Sequence, residues 1–181
     1  MEELTTNDFH FASGVVGKEL PELEALCLYQ IKELSNDTAA LVDITAEGFA
    51  SMPRLRTLLL KRGTSYSTVV PALTPEALAA LFAAIFTAAP ALESFEFDDG
   101  NVVGEQPRLG NALNHNSPPR SLTRLRLKNL CVEPADFESV ELPSLRFLCL
   151  GLADAALATF DAVSASLPAG QLKGQACPHW A

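Results

Sequence analysis

The amino-acid sequence predicts an α/β protein whose centre is a parallel sheet of about five similar strands. Three observations lead to this prediction. One pattern of apolar residues recurs five times along the 181-residue chain, a proline stands just before four of the copies, and stretches of helical periodicity separate them. Similar strands that alternate with helices form parallel sheets, because the intervening helix returns the chain to the same end of the sheet.

The recurring pattern is an apolar residue, two others, an apolar residue, one other and a third apolar residue. Its last two apolar positions have the two-residue period of a strand. The five copies begin at Leu23, Leu55, Leu92, Leu122 and Leu145. Proline has no N–H to donate to a sheet, so it belongs before a strand rather than inside one. The prolines that precede a copy by two residues are Pro21, Pro53, Pro90 and Pro143.

A helix is predicted between the second and third copies. Thr74 is a suitable N-cap, Pro75 suits the first turn, and Glu76 places a negative charge near the positive end of the helix dipole. The apolar residues that follow recur at helical spacing and share one face. They are Leu78, Leu81, Phe82 and Ile85.

Further helices are predicted elsewhere between the copies. One begins at Asp154. The residues that share its apolar face are Leu157, Phe160, Val163 and Leu167. Shorter helices are expected after Thr45, carrying Phe49, and after Pro134, carrying Phe137. Residues 61–73 and 99–121 are rich in Gly, Pro, Asn and Ser, which is typical of loops inserted at a rim.

The pattern resembles the leucine-rich repeat family, whose signature is L-x-x-L-x-L-x-x-N, over residues 20–168. All five copies keep the first half of the signature. The final Asn is absent, and that position holds Ile31, Gly63, Gly100, Leu130 and Ala153. Successive copies begin 23 to 37 residues apart, whereas regular repeats of the family have about 20–29 residues. The irregular spacing is similar to that of the repeats in F-box and ribonuclease-inhibitor-like proteins.

This resemblance implies a solenoid with the strands on its concave side and the helices on its convex side. Residues 1–19 would form an N-terminal flank or cap, residues 20–168 the irregular leucine-rich repeats, and residues 169–181 a flexible C-terminal tail. The implied function is protein–protein interaction, and the implied setting is the substrate-recognition part of an F-box-type ubiquitin-ligase adaptor. The partner is a protein whose identity the sequence does not give.

Composition and charge argue against several other partners. The formal net charge is −9 and the pI is near 4.7, whereas proteins that bind nucleic acids or anionic lipids present basic surfaces. The sequence has no apolar stretch long enough for a membrane span and no secretory signal at Met1–Phe11. We therefore expect an intracellular protein, cytoplasmic or nuclear, that binds no nucleic acid and no membrane. In that setting its cysteines are expected as free thiols. They are Cys27, Cys131, Cys149 and Cys177.

The sequence contains no motif that predicts catalysis or a cofactor. GxSxG, HExxH, GxxxxGK[ST] and GxGxxG are all missing, and the widely separated cysteines do not have the spacing of a zinc site. We therefore expect no enzyme activity, no cofactor, no metal and no small-molecule substrate. Two alternatives stay open. One is a structural fragment of a larger repeat protein, and the other is a small α/β enzyme with its ligand at the carboxyl ends of the strands.

Side chains between the apolar positions of each copy point to the opposite face of the sheet. The candidate partner-binding residues on that face are Tyr29, Leu59, Glu96, Asp98, Arg124, Arg126, Lys128 and Phe147. The third strand is acidic and the fourth is basic. If these strands are neighbours in register, Glu96 faces Arg126 and Asp98 faces Lys128. Such pairs either fix the order of the strands or form a charged centre that orients a partner.

Overall fold

The structure is a computed structural model that describes residues 2–6, 21–31, 53–62, 73–100, 107–114, 116–151, 161–162 and 164–165. These residues form an α/β arrangement of parallel strands with helical segments between some of them. The strands are β1 (Glu2–Thr6), β2 (Leu23–Ile31), β3 (Thr57–Arg62), β4 (Ser94–Asp98), β5 (Arg124–Lys128) and β6 (Phe147–Leu150). Helix α1 spans Pro75–Ala88.

All six strands lie in one parallel sheet, and their order in the sheet is their order in the chain. Strands β2 to β6 are the five copies of the apolar pattern. Equivalent positions stand in register across them, as in the series Leu26, Leu58, Phe95, Leu125 and Leu148. Strand β1 is an additional strand within residues 1–19, where only an N-terminal flank or cap was predicted because these residues contain no copy of the pattern.

Each copy is attached to the previous one by the same backbone contacts just before the strand. The amide of Arg56 donates to the carbonyl of Glu24 at 2.8 Å, and the amide of Glu93 donates to the carbonyl of Arg56 at 2.8 Å. Thr123 bonds to Glu93, and Arg146 to Thr123, at the same distance. These donors and acceptors all directly follow the first leucine of a copy, so the local sequence pattern fixes how each strand joins its neighbour.

The apolar positions of the pattern form the core on one side of the sheet. The first leucine of every copy is buried, and so are the second and third apolar residues. Replacing one such leucine by alanine typically costs about 2–5 kcal/mol, because the surroundings collapse only partly onto the cavity. The repeated pattern thus supplies the core as well as the strands.

Helix α1 covers this core, as the sequence predicted. The hydroxyl of Thr74 accepts a hydrogen bond from the amide of Ala77 at 3.2 Å and caps the helix. The ring of Phe82 meets those of Phe95 and Phe97 edge-on, with centroids 5.2 and 5.7 Å away. The buried residues of the helix are Ala77, Leu78, Leu81, Phe82, Ile85 and Phe86.

Shorter helical turns take the place of α1 in the later crossovers. Residues Pro134–Phe137 form a single 3-10 turn, so the helix expected after Pro134 is reduced to four residues. Phe137 is nevertheless buried in the core. Leu130, Val132 and Leu142 of the same crossover are buried as well, so the crossover covers the core without a longer helix.

The described part of the 99–121 loop packs against α1 on the core side. It contains a 3-10 turn at Gly110–Ala112, and Leu109, Ala112 and Leu113 are buried. The side-chain amide of Asn116 donates to the carbonyl of Ala79 in α1 at 2.7 Å. This part of the loop therefore belongs to the covering layer of the sheet.

Several predicted segments lie outside the described residues. They are the helix after Thr45, most of loop 61–73 and the tail 169–181. Of the helix expected from Asp154, residues 161–162 and 164–165 are described and are helical. Among the helical segments that the structure describes, none combines the length and apolar character of a membrane span.

Candidate functional site

The side of the sheet opposite the core carries the candidate binding residues, and we call it the strand face. Strict alternation places them there. In β3, for example, Leu58, Leu60 and Arg62 are buried while Thr57, Leu59 and Lys61 are half-buried on the other side. The strand face consists of Tyr29, Leu59, Lys61, Glu96, Asp98, Arg124, Arg126, Lys128 and Phe147.

The acidic strand β4 and the basic strand β5 are neighbours in the predicted register. Glu96 stands opposite Arg126, and Asp98 stands opposite Lys128. The Nη1 atom of Arg126 lies 3.3 Å from Oε2 of Glu96. The Nζ atom of Lys128, however, lies 2.9 Å from Oε1 of Glu96. One carboxylate thus binds two cations, one opposite and one diagonal.

Asp98 pairs not with Lys128, which stands opposite it in β5, but with Lys61, which stands opposite it in β3, and with two groups at the ends of the strands. Its Oδ1 accepts hydrogen bonds from the side chain of Asn129 at 2.6 Å and the amide of Gly100 at 3.0 Å. Its Oδ2 lies 3.6 Å from Nζ of Lys61. Gly100 and Asn129 both have positive φ, 64° and 57°, a backbone conformation that glycine and asparagine tolerate best. The Asp98 carboxylate therefore stabilises the turns at the ends of β4 and β5 through these hydrogen bonds.

Arg124 and Phe147 lie at the other end of the strand face, where β5 and β6 begin. They stand opposite each other in β5 and β6, and the guanidinium carbon of Arg124 lies 5.1 Å from the centroid of the Phe147 ring. Contacts of this kind contribute about 0.5–1 kcal/mol at exposed sites. Arg124 is exposed, and it has no ion pair with any described carboxylate.

Cations outnumber carboxylates on the strand face, and they are the more exposed groups. The side chains of Lys61, Arg126 and Lys128 are 38%, 36% and 32% exposed. The carboxylate side chains of Glu96 and Asp98 are only 20% and 7% exposed. With Arg124, four cations surround two carboxylates in a chain of net charge −9. An approaching molecule meets a locally positive surface.

The apolar candidates stand at the margins of this charged centre. Leu59 is half-buried and lies between Cys27 and Glu96 in register. Tyr29 is also half-buried and falls where the β2–β3 register becomes irregular, between Leu28 and Ile31. The structure thus brings together the charged candidates, Leu59 and Phe147.

The strand face ends at Cys149, which is fully buried. The prediction of free thiols is wrong for this residue, because Cys149 is disulfide-bonded. Cys27 and Cys131 are not in disulfides. Free thiols were expected from the intracellular setting, and spacing along the chain does not reveal which cysteines meet in a fold. Beyond β5, the accessible part of the strand face is therefore Phe147.

A buried ion pair at the carboxyl ends of β3 and β4 was missed by the sequence analysis. Nη1 of Arg62 lies 2.5 Å from Oδ1 of Asp99, and the two side chains are 1% and 0% exposed. Burial raises the pKa of Asp99 to about 6, although the charge and hydrogen bond of Arg62 lower it. Burial also lowers the pKa of Arg62. The sequence of β3 contains a signal for the burial of Arg62, because side chains alternate between the two faces of a strand and position 62 points the same way as the buried positions 58 and 60.

At the carboxyl ends of β3 to β5, where an α/β enzyme would hold its ligand, the described side chains make these structural contacts. Asp99 has a raised pKa but is inaccessible to a substrate, and Asp98 is held by Asn129 and Gly100. A cavity of about 260 Å³ lies on the core side, beside Phe86, Thr87 and Asn116, and the described residues that line it include no titratable group. Among the described residues, no group of three or more His, Cys, Asp or Glu side chains could hold a metal ion.

Comparison of the chain with models of known protein families, with curated proteins and with solved structures found no match.

Proposed function

We propose that this chain is a protein–protein interaction module that presents its strand face to a partner. The observation that carries the proposal is the difference between the two faces of the sheet. Consecutive parallel strands place their apolar residues in the core and a contiguous charged and aromatic set on the other face. Charged groups in such a position tune the rate and specificity of association, and an aromatic side chain beside them is a common anchor at interfaces.

We further propose that the repeats form a leucine-rich-repeat solenoid. The repeated register and the repeated backbone contacts before each strand support this, since a solenoid stacks equivalent positions of successive units. The resemblance to F-box-type repeats suggests the substrate-recognition part of a ubiquitin-ligase adaptor, which works inside the cell. That setting is an analogy, because a fold by itself does not define a function. The proposal includes no catalytic activity and no cofactor.

Site-specific photo-cross-linking in cell lysate tests which side of the protein binds. A benzophenone amino acid replaces Leu59 on the strand face in one variant and Thr87 in another. Thr87 is the matched control, because it is exposed on α1, on the other side of the sheet. Circular dichroism confirms beforehand that both variants fold like the unmodified chain.

The proposal expects protein adducts from position 59 that are missing or much weaker from position 87. Excess unlabelled wild-type chain should compete them away. Equal adducts from both positions, or adducts from position 87 alone, would contradict binding through the strand face.

A further inference from the structure

We infer that the strand face binds an acidic, extended segment of the partner protein, and this inference rests on the proposed function. The first reason is the distribution of charge. The chain as a whole carries a net charge of −9, yet its strand face carries four cations and two carboxylates, all from three adjacent strands. The strand face is thus a positive patch on a molecule whose net charge is negative.

The second reason is that the two carboxylates of the strand face already have partners and are less exposed than the cations. Glu96 is bound by Arg126 and Lys128, and Asp98 by Asn129, Gly100 and Lys61. A basic partner would have to compete with these cations for the same carboxylates. An acidic partner adds a carboxylate above cations that are still about one-third exposed.

The third reason is the geometry of strand β5. Arg124, Arg126 and Lys128 alternate along it, and residues two apart in a strand are separated by roughly 6.6 Å. Alternate side chains of an extended peptide have the same spacing. Acidic residues at every second position of a partner segment therefore match the three cations of β5, and an apolar residue two positions further along the same face of the segment can contact Phe147 beside Arg124.

A protein segment fits this surface better than a nucleic acid or an anionic membrane. Binding of duplex DNA engages many phosphates at once, and a membrane surface extends well beyond a patch three strands wide. Both would bring the rest of a strongly acidic chain close to further negative charge. A short acidic peptide needs only the patch itself.

The test is a selection of 12-residue peptides from a random display library on the immobilised full chain. Peptides enriched on the wild type are then measured by fluorescence anisotropy against two variants, Arg124→Glu and Arg120→Glu. Both arginines are exposed and form no ion pair with a described carboxylate. They lie four residues apart in the chain, but only Arg124 belongs to the strand face, so Arg120→Glu controls for the change in net charge. Arg124→Gln serves as a second variant if the reversal perturbs folding.

We expect enriched peptides with Asp or Glu at alternate positions. Their affinity should fall about tenfold or more in Arg124→Glu and stay within about twofold in Arg120→Glu, and it should weaken as salt is raised. Enriched peptides without an acidic bias that still depend on Arg124 overturn this inference but leave the proposed function standing. Peptides insensitive to Arg124, or no enrichment, overturn the inference, and the cross-linking experiment then decides the proposed function separately. Tighter binding of a 12-nucleotide oligothymidylate or of phosphatidylserine vesicles also overturns it.

Discussion

At the scale of single residues, the Arg62–Asp99 pair shows how burial and charge oppose each other. Both side chains are almost completely removed from water, so each loses its hydration and depends on contacts within the protein instead. The raised pKa of Asp99 and the lowered pKa of Arg62 have the same first cause, burial. The attraction within the pair therefore does not recover the whole desolvation penalty, which is common for buried ion pairs.

This balance predicts different results for single and double substitutions. Arg62→Met leaves the Asp99 carboxylate buried without its cation and should lower the free energy of unfolding at pH 8 by about 3–5 kcal/mol. Arg62→Met with Asp99→Leu should recover most of that loss or exceed the wild type. Urea unfolding measures both. Glu93→Gln in the exposed Arg56–Glu93 pair is the control and should change stability by less than about 1 kcal/mol. A double variant as unstable as the single one would contradict the argument.

The raised pKa of Asp99 also predicts a pH dependence. The folded value is about 6 and the model-peptide value is 3.8, so between these values the folded protein binds more protons than the unfolded chain. The stabilisation that Asp99 contributes is complete below pH 3.8 and is lost as pH rises through 6. The loss is at most about 3 kcal/mol for this difference between the folded and unfolded pKa.

Thermal or urea unfolding between pH 4 and 7 checks this dependence. Burial raises the pKa of Asp136 as well, so that carboxyl contributes with the same sign. Asp99→Asn removes only the contribution of Asp99 and should flatten the profile relative to the wild type. A profile for Asp99→Asn that parallels the wild type would show that Asp99 does not titrate in this range.

At the scale of elements, the start of helix α1 gives a direct test of local sequence signals. The hydroxyl of Thr74 accepts a hydrogen bond from the Ala77 amide, which otherwise lacks a partner within the helix. Thr74→Ala should therefore lower stability by about 0.5–2 kcal/mol. Thr87→Ala makes the same chemical change at an exposed position near the end of α1 and should be neutral or slightly stabilising. Equal effects in chemical denaturation would contradict the capping role.

The junction between β5 and β6 depends on the absence of a side chain. The amide of Gly151 donates to the carbonyl of Leu127 at 2.6 Å, and a Cβ at this position would lie 2.8 Å from Cα of Lys128. Because backbone atoms cannot move aside as a flexible side chain can, Gly151→Ala should cost about 1–3 kcal/mol. Ala135→Ser, at an exposed position in the preceding crossover, should leave the midpoint of unfolding nearly unchanged. A Gly151→Ala midpoint equal to the wild type would contradict the close approach.

These elements show which features a sequence can predict. Strands β2 to β6 and helix α1 were predicted because their apolar period and their cap are local signals. Strand β1 was missed because Glu2–Thr6 repeats no part of the pattern and is recognised only by its pairing with β2. The strand-face register followed from the pattern, but the hydrogen bond between Asp98 and Asn129 did not, because it joins residues 31 positions apart in the chain.

At the scale of the whole molecule, the proposed solenoid makes stability a local property. In such an array each unit contacts only its neighbours, so damage at one end should not spread through the whole sheet. The strand order, which follows the chain from β1 to β6, gives the array two distant ends. Leu148 in β6 and Phe95 in β4 are both completely buried, and they stand near the end and in the middle of the sheet.

Native-state hydrogen exchange of Leu148→Ala and Phe95→Ala tests this property. Each substitution should cost several kcal/mol, roughly 2–5. In a solenoid, Leu148→Ala should accelerate exchange in β6 and β5 while the amides of β2 and β3 keep their protection. Phe95→Ala should accelerate exchange on both sides of β4, because it removes the contact that couples them. If Leu148→Ala lowers protection equally from β2 to β6, the sheet unfolds as one cooperative unit, and the described strands do not behave as a nearest-neighbour array.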